Sequence, residues 1–391
     1  MKKNYSVIFI FMAFILSLTC IGGLYKTKVF AEQFNENNYK SAYLIDANTE
    51  TVIFKKNENE RLPIASMCKI MTLLLCFDAI ENNELSLSEE IVVSANASKM
   101  GGSQIFLEEN GRYIVEDLIK GIVVASANDA CVAMAERLTG SEDNFVEKMN
   151  LKCKELEMNN TNFVNCTGLP KIGQYSTAKD VSIMFSHLIK HKDYFLYSKI
   201  WLDEILHPKG RVTEITNTNK LVKFYNGCDC GKTGYTSEAG FCLAASAMRN
   251  DMRLIAVIIN ANDSKTRFRE VSSMFNYGFA NYVNKLVVDN QTPLDILVNV
   301  SGGKKDKLNV VAKNSLYLFS KKNEKRIVEI EFSSNKKIFA PINKGDVVGK
   351  LSVYEKGVEI ASIDVLANED ILEKTFFDNI VDISKNWSLV I

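Results

Sequence analysis

An apolar helix pattern that begins near Ser66 constrains the fold of this chain more than any other stretch. Apolar residues recur there at the spacing of one helical face: Ile70, Leu73, Leu74, Phe77 and Ile80. Between Ile70 and Phe77 the pattern is apolar on nearly every face, which predicts a helix buried at the centre of a domain.

Two polar residues open this helix. Ser66 and Lys69 are three positions apart, so their side chains share a helical face about one turn apart. The pair sets a possible nucleophile beside a possible base without any histidine. The Ser-x-x-Lys pattern is weak evidence alone, because it also begins at Ser176, Ser301, Ser333 and Ser334.

Two further motifs give the first one its context. Ser126-Ala127-Asn128 interrupts two predicted helices, and Lys232-Thr233-Gly234 occurs once. The Lys-Thr-Gly motif precedes two β-type runs at 240–248 and 252–261, which predict a hairpin. Ser-x-x-Lys, Ser-Asp-Asn and Lys-Thr-Gly form the motif set of class A β-lactamases and penicillin-binding proteins. Here the middle motif reads Ser-Ala-Asn.

With these motifs the chain resembles a D-alanyl-D-alanine carboxypeptidase of the low-molecular-mass penicillin-binding proteins. The likeness covers roughly residues 40 to 391. Further similar segments lie at 44–47, 126–130, 168–169, 175–178, 234–236, 339–341 and 347–349. The chain departs from the family at Cys68, where threonine is usual, and at Glu50, where glycine is common. We expect the change at Cys68 to be tolerated, since it lies on another helix face from Ser66 and Lys69.

The predicted fold is α+β. Residues 32–285 would form a β-lactamase/DD-peptidase-like domain with an antiparallel sheet flanked by helices, including a hairpin at 42–47 and 51–55. The predicted helices include one from Val115 to Ser126, one that opens with Thr177 as its cap, and a last one from near Arg269 to Val283. Residues 286–370 carry short β-type runs split by polar turns and predict a small all-β, sandwich-like domain. Residues 371–391 change to helical spacing.

Side-chain chemistry and the resemblance together assign roles to the first two motifs. A serine hydroxyl is a poor nucleophile until a base takes its proton, and Lys69 can serve Ser66 only when its amine is neutral. Burial and a second cation, Lys232, would both lower the pKa of Lys69. We expect Ser126 to pass a proton toward the leaving amine, and Asn128 to bond the substrate's peptide amide and hold Lys69.

The third motif would bind the substrate. Lys232 and Thr233 offer a charge and a hydroxyl to a terminal carboxylate, and Gly234 lets a substrate backbone approach closely.

The resemblance extends to an oxyanion hole and a steering cation. The backbone N–H groups of Ser66 and Tyr235 would form the oxyanion hole, with each donor worth about 3–4 kcal/mol. Arg267 resembles the family's carboxylate-steering arginine by its spacing, and it is equally placed to be a solvated loop cation.

The resemblance implies a serine carboxypeptidase that removes the terminal D-alanine from peptidoglycan stem peptides through an acyl-enzyme on Ser66. β-Lactam antibiotics would acylate the same serine. Three alternatives stay open. A transpeptidase or endopeptidase uses the same residues, a class A β-lactamase needs a further glutamate that the 160–180 region does not offer, and a non-catalytic cell-wall binding protein would need no acylation.

The two ends of the chain predict export and membrane attachment. Lys2 and Lys3 precede an apolar run at 7–24, which is typical of a signal peptide over residues 1–31, although an uncleaved anchor has a similar length. The tail places apolar residues on one helical face: Leu372, Phe376, Ile380, Ile383, Trp387 and Ile391. This pattern favours a helix at the membrane surface over one packed on its own domain. The enzyme would then lie on the outer face of the cytoplasmic membrane.

Composition and the spacing of particular residues argue against other classes of function. Lys+Arg and Asp+Glu both number 47, which argues against a nucleic-acid partner. No metal or cofactor is expected, since the cysteines lack zinc spacing and are best interpreted as buried free thiols. The segment before Lys232 lacks the first glycine of a P-loop. His187, His191 and His207 lack the partner motifs of a catalytic triad and are predicted to be structural.

Overall fold

The computed structural model describes residues 36–334 and 337–381. The predicted signal peptide and residues 382–391 of the predicted tail helix lie outside these ranges. The strands of the first domain are, in chain order, β1 (Tyr39–Asp46), β2 (Val52–Lys56), β3 (Glu90–Val92), β4 (Arg112–Ile114), β5 (Leu202–Leu206), β6 (Val212–Thr216), β7 (Cys228–Thr236), β8 (Gly240–Arg249) and β9 (Met252–Ala261). Its helices are α1 (Lys69–Glu81), α2 (Ala95–Ser98), α3 (Val115–Lys120), α4 (Asn128–Thr139), α5 (Glu142–Glu155), α6 (Ala178–Leu188), α7 (Tyr194–Ser198), α8 (Leu221–Phe224) and α9 (Ser264–Asn281).

A five-stranded antiparallel sheet supports the first domain, in the order β2-β1-β9-β8-β7. Both predicted hairpins, β1–β2 and β8–β9, are confirmed. Strand β7 carries the Lys-Thr-Gly motif and forms an edge of the sheet. An edge strand leaves one row of backbone groups unpaired by the sheet, although Lys232, Thr233 and Gly234 are themselves buried.

Helix α1 occupies the centre of the first domain, as its apolar pattern predicts. Every residue from Lys69 to Phe77 is buried. A 3₁₀ turn at Ala65–Cys68 leads into the helix, so Ser66 stands at its entrance. The sequence at the head of α1 therefore places the serine at the edge of the core and the lysine inside it.

Some helix boundaries differ from the prediction because capping groups set them. The predicted cap at Thr177 is confirmed, since its Oγ1 accepts from Asp180 N at 3.0 Å. Helix α9 begins at Ser264 rather than near Arg269, because Asp263 Oδ1 accepts from the N–H groups of the first turn. The single helix predicted from Val115 to Ser126 instead divides into α3 and a π turn at Gly121–Ala125.

The second domain is all-β, as predicted, and has its own core. Its strands are β10 (Tyr282–Val288), β11 (Pro293–Ser301), β12 (Lys307–Ala312), β13 (Leu316–Lys321), β14 (Glu329–Ser333), β15 (Ile338–Phe339), β16 (Val347–Glu355) and β17 (Val358–Ala367). Six of them form one sheet in the order β14-β16-β17-β12-β11-β15, while β10 pairs with β13. The predicted boundary at 285/286 falls inside β10, four residues after α9 ends.

The tail begins later as a helix than the sequence pattern predicts. Ile371 is only 2% exposed, belongs to the core of the second domain and pairs with Ile342. Helical structure starts at residue 376, so the predicted start at 371 is wrong. Phe376 and Phe377 are exposed. In the described part of the chain, no helix combines the length and apolar character needed to cross a membrane.

Candidate active site

Ser66 and Lys69 form the pair that their spacing predicts. Lys69 Nζ donates to Ser66 Oγ at 2.9 Å and to the Thr167 carbonyl at 2.6 Å. The lysine is fully buried, and burial lowers its pKa, because a low-dielectric interior disfavours the charged form. The amine is therefore suited to accept the serine proton.

A second lysine–serine pair comes from distant parts of the chain. Lys232 Nζ, on β7, donates to Ser126 Oγ at 2.7 Å and to its neighbour's carbonyl, Thr233 O, at 3.1 Å. Burial and then repulsion from Lys69 hold the pKa of Lys232 well below its ordinary value. The structure thus brings Ser66, Lys69, Ser126 and Lys232 into two hydrogen-bonded pairs in one electrostatic environment.

The backbone around Ser126 is set by the end of the π turn. Ser126 has a φ of 63° in the left-handed region, which is unusual for a residue with a side chain and recurs at functional sites. Two residues later, Asn128 begins α4. Its Nδ2 donates to Gly101 O at 2.7 Å, while its buried Oδ1 has no partner among the described residues. That oxygen can accept an N–H group from a substrate.

The expected bond from Asn128 to Lys69 is replaced by another contact. The lysine is held by the Thr167 carbonyl, a backbone group that no side-chain motif identifies. Sequence reasoning also missed Asp129, which is fully buried and accepts from Ile105 N and Leu107 N at 3.0–3.2 Å. It fastens the 101–107 loop to α4, and this loop in turn holds Asn128.

Packing inside the protein requires glycine at position 234, in addition to the predicted approach of a substrate. A Cβ at this position would lie 2.6 Å from Ile64 O and 3.3 Å from Met67 N. Only glycine therefore lets β7 pack against the turn that carries Ser66. This contact joins the two backbone segments whose N–H groups, at Ser66 and Tyr235, were predicted to form the oxyanion hole.

Thr233 and Tyr235 flank Gly234 on β7, and Arg267 lies against the same strand. Thr233 is buried, whereas the Tyr235 side chain is 56% exposed and stacks on Phe241 with ring centroids 4.3 Å apart. Arg267 is buried and donates through Nη1 to Gly234 O at 2.9 Å and to Cys242 O at 3.3 Å. Burial lowers its pKa to about 10. The alternative of a solvated loop cation is therefore wrong, and the guanidinium lies against carbonyl groups of β7 and β8.

The competing residues lie away from this centre. Ser176 Oγ bonds Thr161 Oγ1 at 2.8 Å, and Lys179 is exposed, so this second Ser-x-x-Lys pattern forms no pair. His191 bonds Asp78 and Glu81 at the far end of α1. All eight cysteines of the described part are buried and free, and Cys68 Sγ donates to Asn165 O at 3.3 Å, as a threonine hydroxyl could.

Comparisons with known proteins give consistent matches over nearly the whole described chain. The family model of peptidase S11, D-alanyl-D-alanine carboxypeptidase, matches residues 28–263, and that of the penicillin-binding protein 5 C-terminal domain matches residues 283–373. D-alanyl-D-alanine carboxypeptidase DacF of Bacillus subtilis (strain 168) is 40% identical over 351 residues, which cover 89% of this chain and 90% of the relative.

Solved structures of penicillin-binding proteins are also similar to this chain. Penicillin-binding protein 5 from Haemophilus influenzae is similar with a TM-score of 0.68 and 28% identity, over 86% of this chain and 98% of that one. Penicillin-binding protein D2 from Listeria monocytogenes, in an ampicillin-bound form, is similar with a TM-score of 0.56 and 29% identity, over 62% of this chain and 98% of that one.

Proposed function

The chain belongs to the peptidase S11 family of D-alanyl-D-alanine carboxypeptidases, and we propose that Ser66 forms the acyl-enzyme through which it works. The activity is removal of the terminal D-alanine from peptidoglycan stem peptides. One observation carries the assignment of the nucleophile. The amine of Lys69 is buried, has a lowered pKa and lies 2.9 Å from Ser66 Oγ.

The acylation step follows from this geometry. Neutral Lys69 takes the proton of Ser66 as Oγ attacks the carbonyl carbon of the penultimate D-alanine. The N–H groups of Ser66 and Tyr235 stabilise the resulting oxyanion. The substrate's amide N–H bonds Asn128 Oδ1, which has no partner among residues 36–334 and 337–381.

The leaving group requires a proton and a site for its carboxylate. Ser126, held by Lys232, gives its proton to the leaving amine and receives in exchange the proton that Lys69 took from Ser66. Lys232, the Thr233 hydroxyl and the charge of Arg267, which bonds Gly234 O on β7, attract the terminal carboxylate. Water then releases the acyl group from Ser66. A β-lactam mimics the terminal D-Ala-D-Ala and offers its own ring carbonyl to the serine, so penicillin should label Ser66, in line with the ampicillin-bound Listeria relative.

A peptide that ends in D-Ala-D-Ala tests the activity and separates it from its alternatives. We expect free D-alanine and the shortened peptide in equal amounts, little cross-linked product when an amine acceptor is added, and very slow hydrolysis of a β-lactam. Glu142 accepts from Cys166 N at 3.1 Å and from Cys166 Sγ at 3.3 Å, so its carboxylate is already engaged by the turn. Rapid turnover of the β-lactam, or cross-linking in place of release, would overturn the carboxypeptidase assignment.

We further propose that the enzyme is exported and held at the outer face of the cytoplasmic membrane. Residues 1–31 would direct export, residues 32–285 carry the chemistry, and residues 286–370 would form a stalk between the site and the membrane. The exposed Phe376 and Phe377 support a membrane-binding tail, since aromatic side chains favour the interface.

Removing residues 376–391 should release the protein from membranes into the soluble fraction. The cut must spare Ile371, because its side chain fills the core of the second domain. Fractionation and immunoblotting measure the change, and penicillin labelling of the truncated protein checks that the site is intact. A truncated protein that stays with the membrane would show that attachment resides elsewhere.

A further inference from the structure

The segment that holds Lys69 is a tight turn closed by one side chain. Asn165 is 8% exposed. Its Oδ1 accepts from Gly168 N at 2.7 Å, from Thr167 N at 3.2 Å and from Thr167 Oγ1 at 3.3 Å, while its Nδ2 donates to Leu169 O at 2.9 Å. Because one amide bonds both sides of the turn, the direction of the peptide groups inside it depends on Asn165.

This turn presents three consecutive carbonyls to the head of α1. Asn165 O accepts from Cys68 Sγ at 3.3 Å, Cys166 O from Thr72 Oγ1 at 2.7 Å, and Thr167 O from Lys69 Nζ at 2.6 Å. The side chains of Cys68, Lys69 and Thr72, which follow Ser66 at the head of α1, thus donate to three consecutive backbone carbonyls.

The turn also lies against the serine itself. A Cβ on Gly168, which has a φ of 83°, would lie 2.0 Å from Ala65 O and 2.9 Å from Ser66 N. Glycine therefore permits a contact that no side chain could, and it fixes the turn relative to both Ser66 and Lys69.

The carbonyl of Thr167 has a defined effect on a lysine base. A neutral amine has two N–H groups and one lone pair, so a carbonyl that accepts one N–H group limits the directions left for the lone pair. Ser66 Oγ is 2.9 Å from Nζ, so in the neutral amine the lone pair can face Ser66 and accept its proton. Once the proton has moved to Lys69, the same carbonyl accepts a charge-assisted bond and stabilises the ammonium.

We propose that Asn165 is a positioning residue, which fixes the Thr167 carbonyl on Lys69 and so directs the amine toward Ser66. The inference rests on the proposed function of Ser66 and Lys69 as nucleophile and base. Under this proposal the 165–169 turn, which contains none of the three motifs, orients the base.

The test is the rate of acylation by a fluorescent penicillin, measured against pH for Asn165→Ala. We expect the plateau rate to fall by about 10²-fold, the loss typical of a misplaced catalytic group. The acid limb of the profile should move to lower pH, because losing the carbonyl acceptor destabilises charged Lys69 and lowers its pKa. Asn162→Ala is the matched control, since Asn162 Nδ2 makes a similar bond to Gly173 O at 2.8 Å.

A second variant separates positioning from a loss of structure. Asn165→Asp keeps an acceptor for the N–H groups of Thr167 and Gly168, and its added charge near Lys69 should move the acid limb to higher pH. Opposite shifts in the two variants support the proposal. A rate for Asn165→Ala equal to that of the Asn162→Ala control, or equal losses in both Asn165 variants with unshifted limbs, would overturn it. Absence of labelling in the unaltered protein would instead refute the proposed function.

Discussion

Replacing Ser66 with alanine should abolish covalent labelling by penicillin and the release of D-alanine, with the fold intact. The acyl-enzyme requires an oxygen at this position, and alanine removes only that atom. Lys69 loses one acceptor but keeps its 2.6 Å bond to the Thr167 carbonyl, so the buried amine is not left without a partner. In-gel fluorescence after incubation with a labelled penicillin measures the loss.

Ser301→Ala is the matched control for this variant. Ser301 begins another Ser-x-x-Lys pattern and is exposed in the second domain, so its removal should leave labelling unchanged. Mass spectrometry of the labelled peptide identifies the acylated residue. Labelling of Ser66→Ala at any other serine would refute Ser66 as the nucleophile.

Local sequence patterns predicted the elements that position the site. Helix α1 follows from an apolar spacing that is complete within four turns, and the β8–β9 hairpin follows from two β-type runs joined by the polar residues 249–251. The motif residues Ser66, Ser126 and Lys232 were identified because their side chains carry the chemistry. Each of these signals lies within a short stretch of chain.

Contacts between distant backbone groups could not be predicted in the same way. The Thr167 carbonyl holds Lys69, yet every residue has such a carbonyl, and only the folded turn directs this one. Gly234 was explained by a substrate, whereas a Cβ added there would first meet Ile64 O and Ala65 Cβ, from a segment far away in sequence. Arg267 is polar in sequence and buried in the fold, because its guanidinium finds carbonyl acceptors on β7 and β8.

The tail shows how a periodic pattern can extend past the element that it describes. Leu372, Phe376 and Ile380 share one helical face, so the pattern alone gave a helix from 371. Ile371, however, is buried in the second domain, and its N–H group donates to Ile342 O at 2.9 Å. Long-range pairing took precedence over local propensity there, and the helix starts where this pairing ends.

Lys69→Ala should slow acylation by about 10²–10⁴-fold or more, which is the contribution expected of a general base. Burial lowers the pKa of Lys69 from its ordinary value of 10.5, so the neutral, proton-accepting form becomes available as pH rises through that lowered value. In the alanine variant this limb of the pH profile should disappear, because an alanine side chain does not titrate. Stopped-flow or quench measurements of penicillin acylation against pH record both effects.

Two further variants decide whether the amine acts as a base or only as a charge. Lys69→Arg keeps a positive charge but cannot give up its proton in a protein, so it should be as slow as Lys69→Ala. Lys179→Ala removes the exposed lysine of the unpaired Ser176 pattern and should acylate at the rate of the unaltered protein. If Lys69→Arg instead acylated rapidly, charge alone would suffice, and the proton of Ser66 would have to pass to another group. The Ser126–Lys232 pair, hydrogen-bonded at 2.7 Å, would then be the candidate.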